Sequence, residues 1–201
     1  LLSSATTRRD GIVGNVDIGA DILNEYNLKS DLIVGKSFSY VEKDDNLNFL
    51  QGEYEKIVSI NIMRSSVVNF FVGIIAISWV LAMVILLLKD RMPIKNKELL
   101  FKILKELIKL GLVIPLAFLT APLFNFTTQA QIVLGIVIMV VIMYILAHLM
   151  FRGNDLKQMG LYALLIISVI TIDSVFGTYL MKNNIMSYDA LIGARYYGIG
   201  N

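Results

Sequence analysis

The chain has no cysteine, a single histidine and only three prolines in 201 residues. The lack of cysteine excludes disulfides, thiolate metal sites and cysteine nucleophiles. One histidine is too few for a metal site built from several imidazoles. Charged residues make up only 17% of the chain, the net charge is +2, and no basic patch is interleaved with aromatic residues. We therefore expect no nucleic-acid partner, and no metal or other cofactor held by this chain.

Apolar residues are in excess, at 56% of the sequence, with a mean hydropathy of +0.69. A soluble domain has about 45–50% apolar residues. The excess follows residue 66 and falls into four runs, the longest of 22 residues. At 1.5 Å per residue such a run reaches about 33 Å, enough to cross a bilayer core of about 30 Å. The predicted spans are residues 67–88, 110–126, 130–151 and 161–181.

The pattern predicts a mainly α, multi-pass membrane protein with four spans, preceded by a short α/β fragment of an outward-facing domain. Pro115 and Pro122 interrupt the second run, so this segment is either a kinked span or a re-entrant segment. Residues 44–66 have apolar side chains at helical spacing and predict an amphipathic connecting helix. We expect further membrane helices of the same protein to pack against these spans.

Residues 96–109 separate leucine and isoleucine from lysine and glutamate on two helix faces. This separation predicts an interfacial helix whose lysines contact anionic lipid headgroups. A helix packed against the inner ends of the bundle is the alternative.

Lysine and arginine are distributed unevenly between the loops. Residues 89–109 carry seven and residues 152–158 carry two, whereas the turn at residues 125–130 carries none. By the positive-inside rule, the two basic loops face the cytoplasm of a plasma-membrane protein. Residues 1–66 and 182–201 are therefore predicted to be extracytoplasmic.

The N-terminal segment TTRRDGIVGNVDIGADIL, residues 6–23, alternates small and aliphatic residues. It predicts a strand over GIVGNVDI and a helix N-cap at Asp17. A second short strand is predicted around Leu32–Val34. The segment resembles a phrase near the end of alkaline-phosphatase-like (phosphatase/sulfatase superfamily) domains. The resemblance is carried by Arg9, Gly11, Val13, Asp17, Ile18, Ile22, Leu23 and the turn VGKSF at residues 34–38.

The layout, with the tail sequence GARYYGIGN, resembles a bacterial group in which an extracytoplasmic domain of this superfamily precedes a membrane region. The resemblance implies that residues 1–43 are the C-terminal remnant of that α/β domain. It implies a parent that acts on phosphate- or sulfate-bearing envelope molecules with two divalent metals and a serine or threonine nucleophile. Those residues would precede Leu1, so the chain is expected to be an internal fragment that anchors the parent and is not catalytic alone.

Arg8 and Arg9 follow the hydroxyl-rich stretch SSATT and are candidate anion-binding residues. A solvated loop is the alternative. In the tail, Arg195 is a further candidate for a phosphate, and Tyr196 and Tyr197 are candidates to stack on a sugar or lipid headgroup. An interfacial aromatic anchor is the alternative for these tyrosines.

Asp173 falls inside the fourth predicted span, near Thr171 and Ser174. A carboxylate at membrane depth is costly, so it indicates either an ion or proton site or a structural polar contact between helices. This residue supports an alternative function, a transporter or flippase-like bundle with a degenerate or regulatory outer domain. A structural scaffold for envelope assembly is a third alternative.

The predicted orientation can be tested by cysteine labelling, because the chain has no native cysteine. In Thr127→Cys the thiol is expected to react with a membrane-impermeant reagent added outside intact cells. In Asn96→Cys it is expected to react only after the cells are opened. The reverse labelling pattern would contradict the orientation.

Overall fold

The computed structural model describes residues 1–88 and 97–186 and is mainly helical. A small N-terminal unit, residues 1–43, precedes a bundle of long helices. The elements in chain order are β1 (Leu2–Ser4), α1 (Asn15–Glu25), β2 (Phe38–Tyr40), α2 (Asn46–Leu88), α3 (Lys97–Thr120), a 3₁₀ turn (Ala121–Phe124), α4 (Gln129–Met150), α5 (Asp155–Val175) and α6 (Tyr179–Asn183).

Helices α2 to α5 are each long and apolar enough to cross a membrane. The predicted mainly helical chain with four candidate membrane helices is therefore confirmed, and it indicates a multi-pass membrane protein. The side on which each loop lies, and the kind of membrane, stay predictions.

The N-terminal unit pairs β1 with β2 in antiparallel register, with Leu2 opposite Tyr40 and Ser4 opposite Phe38. These strands are not those predicted from the sequence. Residues 11–18 turn at Gly11, where φ is +79°, and enter α1 at Asn15, because a left-handed residue cannot continue a strand. Residues 32–34 also lie outside both strands.

Helix α2 is a single helix of 43 residues, about 65 Å long at 1.5 Å per residue. The sequence predicted two elements here, a connecting helix over 44–66 and a span over 67–88. They are continuous because no proline interrupts them and Gly52 alone costs too little to stop propagation. Ile57, Ile60 and Met63 in the first half are buried, so this half also packs against the bundle.

Helix α3 likewise joins two predicted elements, the interfacial helix at 96–109 and the second span at 110–126. Pro115 lies inside it, and Pro122 lies in the 3₁₀ turn that follows. Lys109 was predicted to face lipid headgroups, but it is only 2% exposed and pairs with Glu106 and Asp155. Headgroup contact stays a prediction for the exposed Lys102 and Lys105 of the same helix.

The third predicted span agrees with α4 to within one residue at each end. The fourth does not, because α5 covers Asp155–Val175 where residues 161–181 were expected. The Asn154 side chain accepts a hydrogen bond from Lys157 N (3.0 Å) and so starts the helix six residues early. Gly177 and Thr178, with φ of +98° and +63°, follow its end.

The core has two apolar clusters centred on α3, which packs against α2, α4 and α5. Phe118 lies in one cluster and makes an edge contact with Phe71 of α2, with ring centroids 5.6 Å apart. Tyr162 of α5 is buried in the other beside Val113 and Leu116. Many apolar side chains on the outer faces of α2, α4 and α5 remain exposed, as expected of surfaces that face lipid or further helices.

Substitution of Gly35 tests the packing of the N-terminal unit. A Cβ at this position would lie 2.1 Å from the carbonyl oxygen of Val16, which is backbone and cannot move aside alone. Gly35→Ala is therefore expected to destabilise the unit by about 1–3 kcal/mol, as overpacking does, and to speed protease cleavage within residues 1–43.

Gly52→Ala is the matched control, because a Cβ there meets nothing within 4 Å. It is expected to be neutral or to stabilise α2 by up to about 1 kcal/mol. Equal cleavage rates for the two variants would show that residues 33–36 do not pack on the start of α1.

Candidate functional site

The loop that carries Arg8 and Arg9 is organised around the buried carboxylate of Asp17. Ser4 Oγ and Thr6 Oγ1 each donate a hydrogen bond of 2.6 Å to it. The backbone N–H groups of Gly14 and Lys36 donate two more, at 2.9 and 3.0 Å. One carboxylate therefore connects the β1–α1 loop, the start of α1 and the segment before β2.

Asp17 is the third residue of α1, and Gly14 is the N-cap, so the predicted N-cap position was wrong by three residues. An acidic side chain at this position can accept a hydrogen bond from the N-cap N–H, as in half of a capping box. It thereby satisfies a backbone donor that the helix itself leaves without a partner.

The hydroxyls of SSATT are not free to bind an anion. Thr7 Oγ1 donates to the carbonyl of Ile12 at 2.5 Å, and Ser3 Oγ donates to that of Arg9 at 3.3 Å.

Arg8 and Arg9 lie against α6 at the end of the bundle. Arg8 has φ +53°, and its N–H donates to Ser4 O at 2.9 Å in the turn that follows β1. The Arg9 guanidinium donates to the carbonyl oxygen of Lys182. Lys182 Nζ in turn donates to the carbonyl oxygen of Arg8 at 2.8 Å. These reciprocal bonds dock the N-terminal unit onto the bundle.

The position of α6 depends on Asp173, which is only 6% exposed. Its carboxylate accepts hydrogen bonds from the N–H groups of Leu180 (2.9 Å) and Met181 (2.8 Å). Its carbonyl oxygen accepts from Thr178 N at 2.7 Å. Asp173 is thus two residues from the end of α5, where it satisfies backbone donors of the α5–α6 turn.

The two hydroxyls predicted to join Asp173 in a polar site bond elsewhere. Thr171 Oγ1 donates to Ile167 O at 2.8 Å, and Ser174 Oγ donates to Ile170 O at 2.7 Å. Both bonds return to the backbone of α5 one turn earlier, and both side chains are exposed. Neither hydroxyl therefore donates a hydrogen bond to Asp173.

A cleft of about 350 Å³ lies between the N-terminal unit, α2, the 3₁₀ turn and α6; we call it the basic cleft. Five basic and two acidic side chains line it, together with two amides and two aromatic rings. Lys43 pairs with Asp10 at 3.0 Å, and Lys56 pairs with Glu53. The full lining is Arg8, Arg9, Asp10, Lys43, Phe49, Glu53, Lys56, Asn125, Gly177, Tyr179, Lys182 and Asn183.

The side chains that line the basic cleft carry a net positive charge. Partial burial lowers the pKa of Lys182, and the nearby Arg9 and Arg8 lower it further by like-charge repulsion. An ammonium group that is disfavoured by two guanidinium groups would be stabilised by a bound anion. The cleft therefore has the charge and the size to hold a phosphate or sulfate group.

Of the predicted anion-binding residues, Arg8 and Arg9 line the basic cleft, while Arg195, Tyr196 and Tyr197 lie outside the described residues. Lys43, Lys56 and Lys182 were not predicted. They come from segments far apart in the chain, and no local motif indicates that they meet. Across residues 1–88 and 97–186, no three histidine, cysteine, aspartate or glutamate side chains lie close enough together to hold a metal ion.

The Asp17 contacts generate a prediction about pH. Burial of the carboxylate opposes its ionisation, but the hydrogen bonds from Ser4, Thr6, Lys36 N and Gly14 N outweigh burial and lower its pKa from 3.8 to about 2. A lowered folded-state pKa contributes stability above the unfolded value, and this contribution is lost as pH falls from about 4 to 2. The loss is about 2 kcal/mol.

Hydrogen exchange of the N-terminal amides between pH 2 and 5, corrected for intrinsic rates, measures this loss. Asp17→Asn is expected to remove the acid-dependent part of the protection, because no titratable carboxylate remains there. Asp21→Asn is a control, because it removes a carboxylate of the same helix that accepts a backbone hydrogen bond from Phe38 N but none of the four that Asp17 accepts. The same acid dependence in wild type and Asp17→Asn would contradict the prediction.

Comparison of the chain with protein-family models, with curated proteins and with solved structures found no match. The relationship to the alkaline-phosphatase-like superfamily therefore stays a prediction, and the site has to be interpreted from its own geometry.

Proposed function

We propose that this chain is the membrane-anchoring part of an envelope protein and that its basic cleft binds a phosphate- or sulfate-bearing ligand. The observation that carries the proposal is the convergence of Arg8, Arg9, Lys43, Lys56 and Lys182 on one cleft with only two carboxylates. Arginine is suited to this role because its planar guanidinium makes paired hydrogen bonds to two oxygens of such a group.

The resemblance of the N-terminal segment supports the same class of ligand. Domains of the phosphatase/sulfatase superfamily act on phosphate or sulfate esters with two metals and a hydroxyl nucleophile. In this proposal the catalytic residues belong to another domain of the parent protein, at the extracytoplasmic face of the plasma membrane. The basic cleft holds the anionic group of the same substrate close to the membrane surface, and the chain performs no catalysis by itself.

The surroundings of Asp173 favour anchoring and binding over the transporter alternative. A carboxylate that takes up an ion or a proton during transport needs access to a wet cavity. Asp173 is instead only 6% exposed, and each of its oxygens accepts one backbone N–H at the end of α5. The hydroxyls of Thr171 and Ser174 bond back to the backbone of α5. Among the described residues, these hydroxyls and the carboxylate of Asp173 form no polar path into the bundle.

The experiment is a binding measurement on the full chain in lipid nanodiscs made of neutral lipid, with inorganic phosphate and sulfate as probes. Calorimetric titration is expected to show saturable binding that weakens as ionic strength rises. Arg8→Gln is expected to weaken it by about tenfold or more, the effect of losing one charge-assisted hydrogen bond.

Lys36→Gln is the matched control, because it removes one positive charge from the same N-terminal unit outside the lining of the basic cleft. It is expected to leave the dissociation constant within twofold of the wild-type value. No saturable binding of either anion, or equal weakening by the two variants, would overturn the proposed site.

A further inference from the structure

A second polar cluster lies at the opposite end of the bundle from the basic cleft and joins α3, α4 and α5. Its centre is Lys109, whose side chain is buried. Lys109 Nζ donates to Glu106 Oε1 at 2.8 Å, to Asp155 Oδ1 at 3.1 Å and to Gln158 Oε1 at 3.2 Å. The ammonium therefore has an acceptor for each of its three N–H groups.

The partners of Lys109 are themselves bonded. Tyr144 Oη of α4 donates to Glu106 Oε2. Asp155 Oδ2 pairs with Lys105 at 3.2 Å, and the Gln158 amide donates to Phe151 O at 2.9 Å. Two cations are thus balanced by two carboxylates. We call this group, made of Lys105, Glu106, Lys109, Tyr144, Asp155 and Gln158, the Lys109 cluster.

Tyr162 lies one turn beyond Gln158 on α5 and is fully buried. Its ring packs between Val113 and Leu116 of α3 and Ala147 of α4. Val113 lies one turn beyond Lys109 and Ala147 one turn beyond Tyr144, so the ring is one helical turn from the Lys109 cluster. Its Oη is the one buried side-chain polar atom within residues 1–88 and 97–186 that has no hydrogen-bond partner there.

A buried hydroxyl without a partner is costly, and buried polar groups in native proteins are almost always bonded to protein or to ordered water. The charge balance of the Lys109 cluster indicates which ligand fits. Lys109 already occupies the place of a cation between Glu106 and Asp155. A second ion would break the balance, whereas a neutral molecule that both donates and accepts would not.

We propose that Tyr162 and the Lys109 cluster together form a binding site for an internal water molecule within the membrane bundle. Tyr162 Oη is one partner of this water. Tyr144 Oη and Gln158 Oε1, in the neighbouring helical turn, keep unused lone pairs, and a buried water usually has about three partners. Glu106 and Asp155 are each about one-third exposed, so the site connects to solvent at the α4–α5 turn.

The path by which water enters this site from the α4–α5 turn ends at Tyr162. The next residues on this face of α5, Leu165 and Val169, are apolar and pack in the same cluster as Tyr162. Asp173 is eleven residues further on, about 16 Å at 1.5 Å per residue. Within residues 1–88 and 97–186, these apolar side chains separate the water from the α5–α6 turn.

Radiolytic footprinting tests the site directly, because hydroxyl radicals formed from a bound water label the side chain beside it even when that side chain is buried. In the full chain in nanodiscs, Tyr162 is expected to be labelled. Phe118, which is 2% exposed in an apolar cluster, is expected to stay unlabelled, and the exposed Tyr179 is the positive control. If Tyr162 is labelled no faster than Phe118, the proposal is overturned.

Tyr162→Phe provides a second measurement that does not depend on labelling. If the hydroxyl bonds to water, its removal is expected to lower the thermal midpoint by roughly 2–4 °C. If the hydroxyl has no partner, the variant has an unchanged or higher midpoint, and this result also overturns the proposal. Tyr144→Phe is the matched control and is expected to lower the midpoint in either case, because it removes the bond to Glu106.

Discussion

The capping of the α5–α6 turn by Asp173 is the interaction on which the end of the bundle that carries the basic cleft depends. The end of a helix leaves backbone groups without partners, and a polypeptide that turns back near the membrane cannot leave them unsatisfied. Asp173 meets this requirement by accepting the N–H groups of Leu180 and Met181. This holds α6 beside the bundle, where Lys182 exchanges hydrogen bonds with Arg8 and Arg9. The basic cleft thus depends on a carboxylate that does not line it.

Asp17 has the corresponding role in the N-terminal unit. Two strands of three residues each and one helix of 11 residues bury little apolar surface, and many of their apolar side chains remain exposed. Four hydrogen bonds to one buried carboxylate replace much of the missing core. Both carboxylates accept hydrogen bonds from donors of the chain, four at Asp17 and two at Asp173, so they are scaffold groups that position the cations around the basic cleft.

The bundle places its polar groups at its two ends and keeps its middle apolar. Ion pairs and hydrogen bonds centred on Lys109 connect three helices at one end, while the basic cleft lies at the other. Between them, residues 65–88, 110–147 and 158–172 contain no charged side chain. This distribution is consistent with an anchor that presents a binding surface, and it limits the depth to which water enters from the Lys109 cluster.

The number and approximate positions of the four membrane helices follow from hydropathy, because each apolar run is long enough to span and α4 agrees with its run to within one residue. The continuity of α2 and of α3 was missed, because helix propagation does not stop where hydropathy changes.

Arg8 and Arg9 were recognisable as a basic pair beside hydroxyls. The sequence did not show that two of these hydroxyls bond to Asp17, or that the cleft also contains Lys43, Lys56 and Lys182. These contacts link segments up to 174 residues apart. The sequence by itself determined four helices long and apolar enough to span a membrane, because composition and periodicity are local properties that decide what a segment can bury. Only the tertiary structure decided which charges meet, because a carboxylate or an ammonium is directed by whichever backbone and side-chain groups the packed helices bring within hydrogen-bond distance.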